Sequence, residues 1–315
     1  MTGGHCKLQW RADWAMRWAA LEVDYEISGK DLIDSVRIGS RICRILDREP
    51  PAGFTYELFL DENGEKISKS RGNGLTIEEW LRYATPESLQ LFLYQHPKKA
   101  RRLFFDVIPR HVDDYQSLAD AWVEQDGEQR LGNPLCYIHD GDPPLEPMPI
   151  SFAMLLNLAT VAHAEQPEVL WKFIRRYAPE CTPERNPRLA RLVEGALAYH
   201  RDFVAPKKKY RLPQPHERAA LVELRDYLAG LAGGDGEGAS AEAMQHEIYE
   251  IGKRHEFANL RDWFKAIYEC LLGQSEGPRF GSFVAYYGIR ETRRLIDEVL
   301  ARTSDADDVA DGVPA

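Results

Sequence analysis

The sequence is poor in cysteine and lacks long apolar runs. Its 315 residues include five scattered cysteines without a C-x-x-C pair, which excludes a disulfide-stapled secreted domain and indicates reduced thiols. No apolar stretch approaches the roughly 20 residues of a membrane-spanning helix, and no charged-then-apolar signal segment opens the sequence. We therefore expect a cytoplasmic protein without a membrane partner. His5-Cys6 is more simply a structural pair than half of a zinc site, so we predict no protein-bound metal.

The formal net charge of −10 hides an uneven distribution of positive charge. Between Lys66 and Arg110 there are nine Lys and Arg residues against four Asp and Glu residues. The densest part is residues 98–102 (KKARR), and a second cluster at residues 207–211 (KKKYR) places an aromatic ring among cations. Local patches of this kind neutralise phosphates even on acidic proteins. From sequence alone, a solvated and solubilising face is an equally good interpretation of each cluster.

The most informative motif is Lys66-Ile67-Ser68-Lys69-Ser70, which is followed by Arg-Gly-Asn-Gly at residues 71–74. Residues 54–60 predict a strand before it, and Asp61-Glu62-Asn63-Gly64 predicts a tight turn. Thr76-Ile77-Glu78-Glu79 is a capping box that predicts a helix after it. The pentapeptide alone would be taken for a solvated loop. Its position between a strand and a capped helix favours a loop that presents ammonium and hydroxyl groups to a polyanion.

A lysine–serine loop in this setting resembles the K-M-S-K-S loop of class I aminoacyl-tRNA synthetases, with isoleucine in place of methionine. Further segments resemble the second half of a class I lysyl-tRNA synthetase, the archaeal and alphaproteobacterial type: residues 4–11, 13–18, 28–35 and 54–107. Residues 277–283 (GPRFGSF) resemble the helical anticodon-binding region that this family shares with the glutamyl enzymes. The likeness covers nearly the whole chain and is strongest before residue 115.

The resemblance implies a lysine–tRNA ligase that uses ATP together with Mg²⁺. The lysine carboxylate attacks the α-phosphate of ATP, and negative charge builds on the departing β,γ-phosphates. Flexible lysines that close over these phosphates stabilise that charge. By its place in the family motif, Lys69 is expected to contact the phosphates and Lys66 to assist, while Ser68 and Ser70 hold the loop or donate hydrogen bonds. The Gly-Asn-Gly segment at residues 72–74 is expected to act as a hinge.

The resemblance also suggests contacts to the two small substrates. Gly29-Lys30-Asp31 follows a short extended segment and precedes a helix, where α/β sheets present ligands. By resemblance, Gly29 lets ATP approach the backbone and Asp31 accepts a hydrogen bond from the ribose or adenine. Without the resemblance, a turn with Asp31 as helix N-cap would be favoured. Trp10 and, more weakly, Tyr56 are candidates for the wall that lines the butyl stem of lysine.

Nine residues are candidates for contact with lysine tRNA. Cationic side chains would neutralise phosphates, and an aromatic ring beside a cation at a helix start would stack on an anticodon base. These candidates are Lys98, Lys99, Arg101, Arg102, Lys207, Lys208, Lys209, Arg279 and Phe280.

One departure from the family pattern affects the functional expectation. The sequence holds no H-I-G-H motif, which class I synthetases carry in the first half of the nucleotide-binding domain. We therefore expect a C-terminal fragment that is inactive alone. A mis-called start, a split gene with a separately encoded N-terminal half, and a genuine truncation are the three explanations that the sequence leaves open. Two alternatives stay open. One is a glutamyl-tRNA synthetase-like enzyme, against which residues 10–18 and 28–31 argue, and the other is a non-catalytic tRNA-binding module.

The expected fold is mainly α with a partial α/β part. Residues 1–61 are expected to form the second half of a Rossmann-type domain, and residues 62–116 the lysine–serine loop and stem-contact helices. Residues 117–302 are expected to form an all-α anticodon-binding cage or bundle with a flexible linker at 231–239, followed by a disordered acidic tail at 303–315. Helices are predicted over residues 32–46, 75–83, from 86, 151–164, 167–178, 187–203, 215–230, 240–254 and 258–272.

Overall fold

The computed structural model describes residues 7–68, 70–233 and 240–310, and for 232–233 and 303–310 it describes the backbone alone. Most of these residues are helical, as expected. By contacts the chain forms two units, one from residues 1–77 with 90–107 and the other from 78–89 with 108–315. The chain passes between the units within two helices, α3 (Ile77–Tyr83) and α4 (Pro86–Tyr94). The three-part division drawn from the sequence stays a prediction.

The first unit contains a β–α–β arrangement. Helix α1 (Trp10–Leu21) leads into β1 (Tyr25–Gly29), α2 (Ile33–Ile45) and β2 (Ala52–Tyr56). The two strands are parallel, and their last residues, Gly29 and Tyr56, are paired in register. Parallel strands joined by a helix bring their carboxyl ends to one edge of the sheet, which is where such sheets bind ligands.

Helices α1 and α2 pack through an aromatic side chain and a glycine. Trp18 is 3% exposed, and a Cβ built on Gly39 would lie 2.8 Å from its ring. The indole Nε1 donates to Glu26 Oε2 at 3.0 Å, which ties α1 to β1. Any side chain at position 39 would push the two helices apart, so the sequence places its smallest residue there.

A second small sheet follows. Strand β3 (Phe59–Leu60) pairs in parallel with β4 (Arg101–Arg102). The continuous strand predicted over residues 54–60 is therefore two strands, interrupted at residues 57–58, because its halves pair with different partners. The Glu57 N–H donates to the Pro97 carbonyl at 2.8 Å, and the Leu103 N–H donates to the Leu60 carbonyl at 2.7 Å. These bonds fix the segment that contains residues 98–102 against the strand that leads into the lysine–serine loop.

In the described part of the second unit, all the regular secondary structure is helical. After residues 78–83 of α3 and 86–89 of α4, its helices are α5 (Ile108–Glu124), α6 (Gly127–Gly132), α7 (Leu135–Ile138), α8 (Phe152–Val161), α9 (Pro167–Tyr177), α10 (Pro187–Tyr199), α11 (Pro215–Gly233), α12 (Ala241–Arg254), α13 (Leu260–Leu271), α14 (Phe280–Tyr287) and α15 (Ile289–Ala310).

The helix starts follow local sequence signals. The Ser151 hydroxyl accepts from the Met154 N–H at 3.1 Å, as its predicted role as a cap requires. Proline occupies the first position of α4, α9, α10 and α11, where its missing N–H has no partner to lose. Helix α3 begins at Ile77, directly after the predicted cap Thr76. The predicted helices are confirmed with small shifts at their ends. Helices α1, α5, α6, α7 and α15 had no predicted bounds, and α14 was expected only as a helix start at Phe280.

Two segments expected to be flexible are described only in part. The backbone of helix α15 continues through Ala310, and its buried residues Ile296, Val299 and Leu300 anchor the first part of the helix on the core. The disordered tail expected at residues 303–315 stays a prediction. Residues 311–315 lie outside the described part. Helix α11 extends to Gly233 into the expected linker, whose residues 234–239 also lie outside it. Among the described helices, none combines the length and apolar character needed to cross a membrane.

Candidate active site

The lysine–serine loop folds back on the strand that precedes it. The Gly64 N–H donates to the Asp61 carbonyl at 3.1 Å, and Gly64 has a φ of +83°, which confirms the predicted tight turn. After the turn, Lys66 forms an antiparallel bridge with Leu60, and the Asp61 N–H donates to the Glu65 carbonyl at 2.8 Å. The backbone at Lys66 is thus held beside β3, while its side chain is exposed to solvent.

The serines of the loop contact each other. Ser68 Oγ and Ser70 Oγ are 2.8 Å apart, and the Ser68 carbonyl accepts from the N–H groups of Arg71 and Gly72. Gly72 adopts a φ of +63°, which glycine tolerates best. The expectation that both serines hold the loop or donate hydrogen bonds stays a prediction. Lys69, the residue expected to contact phosphate, lies outside the described residues.

A buried carboxylate and an asparagine hold the base of the loop. Asp61 is 7% exposed, and its Oδ1 accepts from the N–H groups of Asn63 and Glu65 at 3.0 and 2.8 Å. Its Oδ2 accepts from Asn73 Nδ2 at 2.7 Å. The hydrogen bonds from Asn73 and from the Glu65 N–H lower the pKa of Asp61 below its usual value, so this carboxylate is ionised at neutral pH.

Two of the residues expected to bind ATP, Gly29 and Asp31, lie together at the edge of the first sheet. Gly29 is buried at the end of β1, and a Cβ built there would lie 2.7 Å from Asp31 Oδ1 and 3.7 Å from the Tyr56 ring. Asp31 is exposed, and neither the 3₁₀ turn that contains it nor α2 has a side-chain cap hydrogen bond. The structure therefore contradicts the alternative in which Asp31 caps the helix. Its carboxylate faces the space beside Gly29.

The segments after β1 and β2 are also joined by an ion pair. Lys30 Nζ lies 2.7 Å from Glu57 Oε2. Tyr56, 40% exposed, stands beside Gly29 at this edge. Trp10, the first candidate for the lysine-binding wall, is 52% exposed at the start of α1, where it stacks on Trp14 at 5.6 Å. No described contact joins Trp10 to Tyr56.

Known proteins that are similar in sequence to this chain are class I tRNA synthetases, as the motifs described above suggested. The family model for class I tRNA synthetases (K) matches residues 1–142. A lysine–tRNA ligase from Roseobacter denitrificans is 53% identical over 308 residues, covering 98% of this chain and 58% of the relative. One from Rickettsia rickettsii is 48% identical over 299 residues, covering 94% of this chain and 56% of the relative. The chain belongs to the class I lysyl-tRNA synthetase family.

The chain thus spans somewhat more than half the length of these lysyl-tRNA synthetase relatives. A solved glutamate tRNA ligase from Elizabethkingia meningosepticum, in complex with its amino acid, is 14% identical and covers 93% of this chain and 60% of that chain. Its TM-score of 0.32 is below the level at which we infer a shared fold.

The first basic cluster of the chain divides into three exposed residues and one partly buried residue. Lys98 and Lys99 are exposed, and Lys98 Nζ lies 5.4 Å from the centre of the Phe54 ring. Arg102 is exposed and lies beside the turn at Gly64. Arg101 instead stacks on the Phe92 ring at 4.3 Å and lies near Phe59, and burial lowers the pKa of its guanidinium. Lys98, Lys99 and Arg102 are therefore better placed to meet a phosphate than Arg101.

The second cluster is largely engaged within the helical unit. Lys208 Nζ donates to the Thr160 carbonyl at 3.2 Å, and burial lowers its pKa to about 8. Lys207 and Lys209 are exposed. Arg211 forms ion pairs at 2.6 Å with both Glu217 and Glu269. These internal contacts make Lys208 a structural residue and leave Lys207 and Lys209 as the surface candidates.

The expectation that Phe280 stacks on an anticodon base is wrong for this structure. Its ring is 0% exposed, because it packs against Phe283 at 5.3 Å and Tyr268 at 6.3 Å in the core. A Cβ on the next residue, Gly281, would lie 2.3 Å from the Ala241 carbonyl, so α14 is pressed against α12 here. The G-P-R-F-G-S-F segment therefore packs helices, and of its two candidates only Arg279 is exposed.

Sequence reasoning missed Asp61 and Asn73. Asp61 was interpreted as a turn residue and Asn73 as part of a glycine hinge, and neither was taken as a partner of the other. An aspartate two residues before an Asn-Gly pair is a signal for a carboxylate that accepts from nearby backbone N–H groups, and that signal was available. The pairing of Asp61 with Asn73, twelve residues later, could not be predicted from the sequence, because it depends on how the loop returns to β3.

Proposed function

We propose that this chain provides the lysine–serine loop and the tRNA-binding region of a class I lysine–tRNA ligase that acts in the cytoplasm. The observation that supports this most is the loop itself, which returns to β3 with Lys66 exposed and both serines in contact. The identity of about half of all aligned positions to lysine–tRNA ligases agrees with it. The substrates in this proposal are lysine, ATP with Mg²⁺, and lysine tRNA.

In the proposed reaction the lysine carboxylate attacks the α-phosphorus of ATP, forming the acyl–phosphate bond and breaking the bond to pyrophosphate. Lys69 and Lys66 would stabilise the charge that grows on the leaving pyrophosphate. Because this charge is larger in the transition state than in bound ATP, contacts that form there raise the rate rather than the affinity.

The sheet edge would hold the rest of the nucleotide. Gly29 has no side chain to fill the space between Asp31 and Tyr56, and the exposed Asp31 carboxylate can accept hydrogen bonds from hydroxyl groups of the ribose. Tyr56 stands beside Gly29, so its ring is the better-placed of the two candidates for the stem of lysine. Trp10 stays a candidate on resemblance alone.

The test is reconstitution of lysine-dependent ATP–pyrophosphate exchange. The printed sequence contains no H-I-G-H motif, so we expect no exchange from this 315-residue chain alone, even with lysine tRNA present. Adding the part of the Roseobacter denitrificans enzyme that lies outside the matched region should produce exchange with lysine and not with glutamate. Intact Roseobacter enzyme serves as the positive control. The proposal fails if the mixture stays inactive although both parts are folded, and glutamate-dependent exchange would favour the glutamyl alternative.

A tRNA-binding role of the first basic cluster predicts a particular salt dependence. Replacing Lys98 and Lys99 together by alanine should weaken binding of lysine and glutamate tRNA transcripts alike, because phosphate contacts do not read sequence. It should also reduce the slope of log affinity against log salt by as much as about two, since each neutralised phosphate contributes roughly 0.7–0.9. Filter binding at several salt concentrations measures both quantities.

The matched control for that experiment is the double replacement of Lys253 and Lys265 by alanine. Both side chains are more than half exposed, at 58% and 56%, but lie outside the basic clusters. The control removes the same formal charge and should leave the slope unchanged. Equal effects of the two double variants would mean that residues 98–102 are only a solvated face.

A further inference from the structure

We infer that Asn73 and Asp61 are positioning residues that set the conformation of the lysine–serine loop. The inference rests on the proposed function, because it concerns how the loop is presented to phosphate. Neither residue carries a charge or group that must touch ATP in the proposed reaction. Their hydrogen bonds connect the strand that enters the loop, the middle of the loop and the segment that leaves it.

Asp61 acts as the fixed end of this connection. It is nearly buried, and its two oxygens accept three hydrogen bonds, from two backbone N–H groups of the turn and from Asn73. A buried carboxylate needs such donors because an unpaired one would be costly to desolvate. The carboxylate is therefore fully committed to the loop.

Asn73 connects Asp61 to the loop. Its Nδ2 donates to Asp61 Oδ2 at 2.7 Å and lies 3.4 Å from the Lys66 carbonyl, while its Oδ1 accepts from the Ser68 N–H at 3.0 Å. Asp61 can only accept and a backbone N–H can only donate, so one orientation of the amide satisfies both. The side chain thus reaches both residues that flank Ile67, on the lysine-bearing side of the loop.

Other contacts across the loop are weaker restraints. The Arg71–Glu65 ion pair at 2.7 Å has both side chains 63% exposed, and exposed pairs contribute little to stability. The Ser68–Ser70 contact is also at the surface. Without the Asn73 amide, Lys66 would keep its bridge with Leu60, and the Ser68 carbonyl would keep its bonds from the N–H groups of Arg71 and Gly72. The Ser68 N–H, however, would lose its acceptor, and the link from Ser68 to Asp61 would be lost. A catalytic group that is not held in position lowers the reaction rate.

Exchanging the two side chains tests this directly. Asn73→Asp places two carboxylate oxygens at the 2.7 Å contact, and Asp61→Asn places two amide NH₂ groups there. The double exchange, Asp61→Asn with Asn73→Asp, restores a donor facing an acceptor. It also keeps an acceptor for the Ser68 N–H and for the turn, and loses only the 3.4 Å contact to the Lys66 carbonyl. Coupling of this kind appears as non-additivity in a double-mutant cycle.

Two measurements are made on each variant. Amide hydrogen–deuterium exchange of residues 66–72 is followed by mass spectrometry on the full chain. It should be at least about tenfold faster in Asn73→Ala, in Asn73→Asp and in Asp61→Asn than in the wild-type chain. The reconstituted ATP–pyrophosphate exchange should fall about 10- to 100-fold in kcat with a smaller change in the KM for ATP. In the double variant, Asp61→Asn with Asn73→Asp, the hydrogen-exchange rate and kcat should both return to within about threefold of the wild-type values. Asn63→Ala is the matched control, because only its backbone N–H takes part.

The outcomes separate this inference from the proposed function. The positioning role would be overturned if Asn73→Ala left the hydrogen-exchange protection of residues 66–72 unchanged. It would also be overturned if the loss of kcat in the double variant equalled the sum of the losses, in free energy, of the two single variants. If the wild-type mixture shows no exchange activity, the proposed function fails, and hydrogen exchange alone then decides whether Asn73 fixes the loop.

Discussion

Replacing Lys69 by alanine is expected to lower lysine-dependent ATP–pyrophosphate exchange of the reconstituted enzyme at least about 100-fold. The residue itself lies outside the described part of the structure, so the expectation rests on its place in the motif and on the geometry of its neighbours. One preorganised charge contact in a transition state is typically worth several kcal/mol. Because the contact forms as pyrophosphate leaves, the loss should appear mainly in kcat.

Companion variants distinguish charge from general disturbance of the loop. Lys66→Ala should cost less than Lys69→Ala, since Lys66 is expected only to assist. Lys69→Arg keeps the charge and should retain more activity than Lys69→Ala. Lys253→Ala, an exposed lysine of the helical unit, should leave the rate unchanged. A Lys69→Ala rate within about threefold of the wild-type value would show that the phosphate contact is made elsewhere.

Replacing Trp263 by alanine should destabilise the helical unit by about 3–5 kcal/mol. The indole is 0% exposed, and its Nε1 donates to the Ile248 carbonyl at 2.9 Å. A Cβ built on Gly252 would lie 2.6 Å from the indole, so α12 and α13 meet through this ring and little can move in to fill the gap. Urea unfolding followed by circular dichroism at 222 nm measures the change.

Two further variants define what the ring contributes. Trp263→Phe keeps most of the apolar volume and loses the N–H bond, so it should cost clearly less than alanine. Lys265→Ala, on the exposed face of the same helix, should stay within about 0.5 kcal/mol of the wild-type chain. Equal losses for alanine and phenylalanine would mean that the hydrogen bond, not the packing, holds α12 to α13.

Sequence patterns located most helices because their signals are local. Ser151 and the prolines at helix starts act within one turn, and the apolar periodicity of α9 to α13 is visible without neighbours. The interruption at residues 57–58 was not visible, since both halves of that segment have strand composition. Only the choice of pairing partners, β1 for one half and β4 for the other, breaks it.

The candidate site was predictable to the same extent. The motif itself and the Gly29–Asp31 element could be recognised in the sequence, and the structure places the second beside Tyr56. The sequence could not show that Arg101 is stacked on Phe92, that Lys208 is engaged with Thr160, or that Phe280 is buried. Each of these outcomes depends on residues far away along the chain, and a cation or ring in a promising motif gives no sign of them.

The carboxylate of Asp61 has a consequence for how the sequence can change over evolution. One oxygen of Asp61 accepts from the N–H groups at positions 63 and 65. These bonds therefore depend on the number of residues in the turn and not on which side chains it carries. Glu62, Asn63 and Glu65 can be exchanged for many residues, since the bonds involve backbone atoms. An insertion or deletion of one residue would leave an N–H out of reach and shift Lys66 off its bridge with Leu60. In this turn, substitutions should therefore be tolerated, whereas insertions and deletions should disrupt the loop.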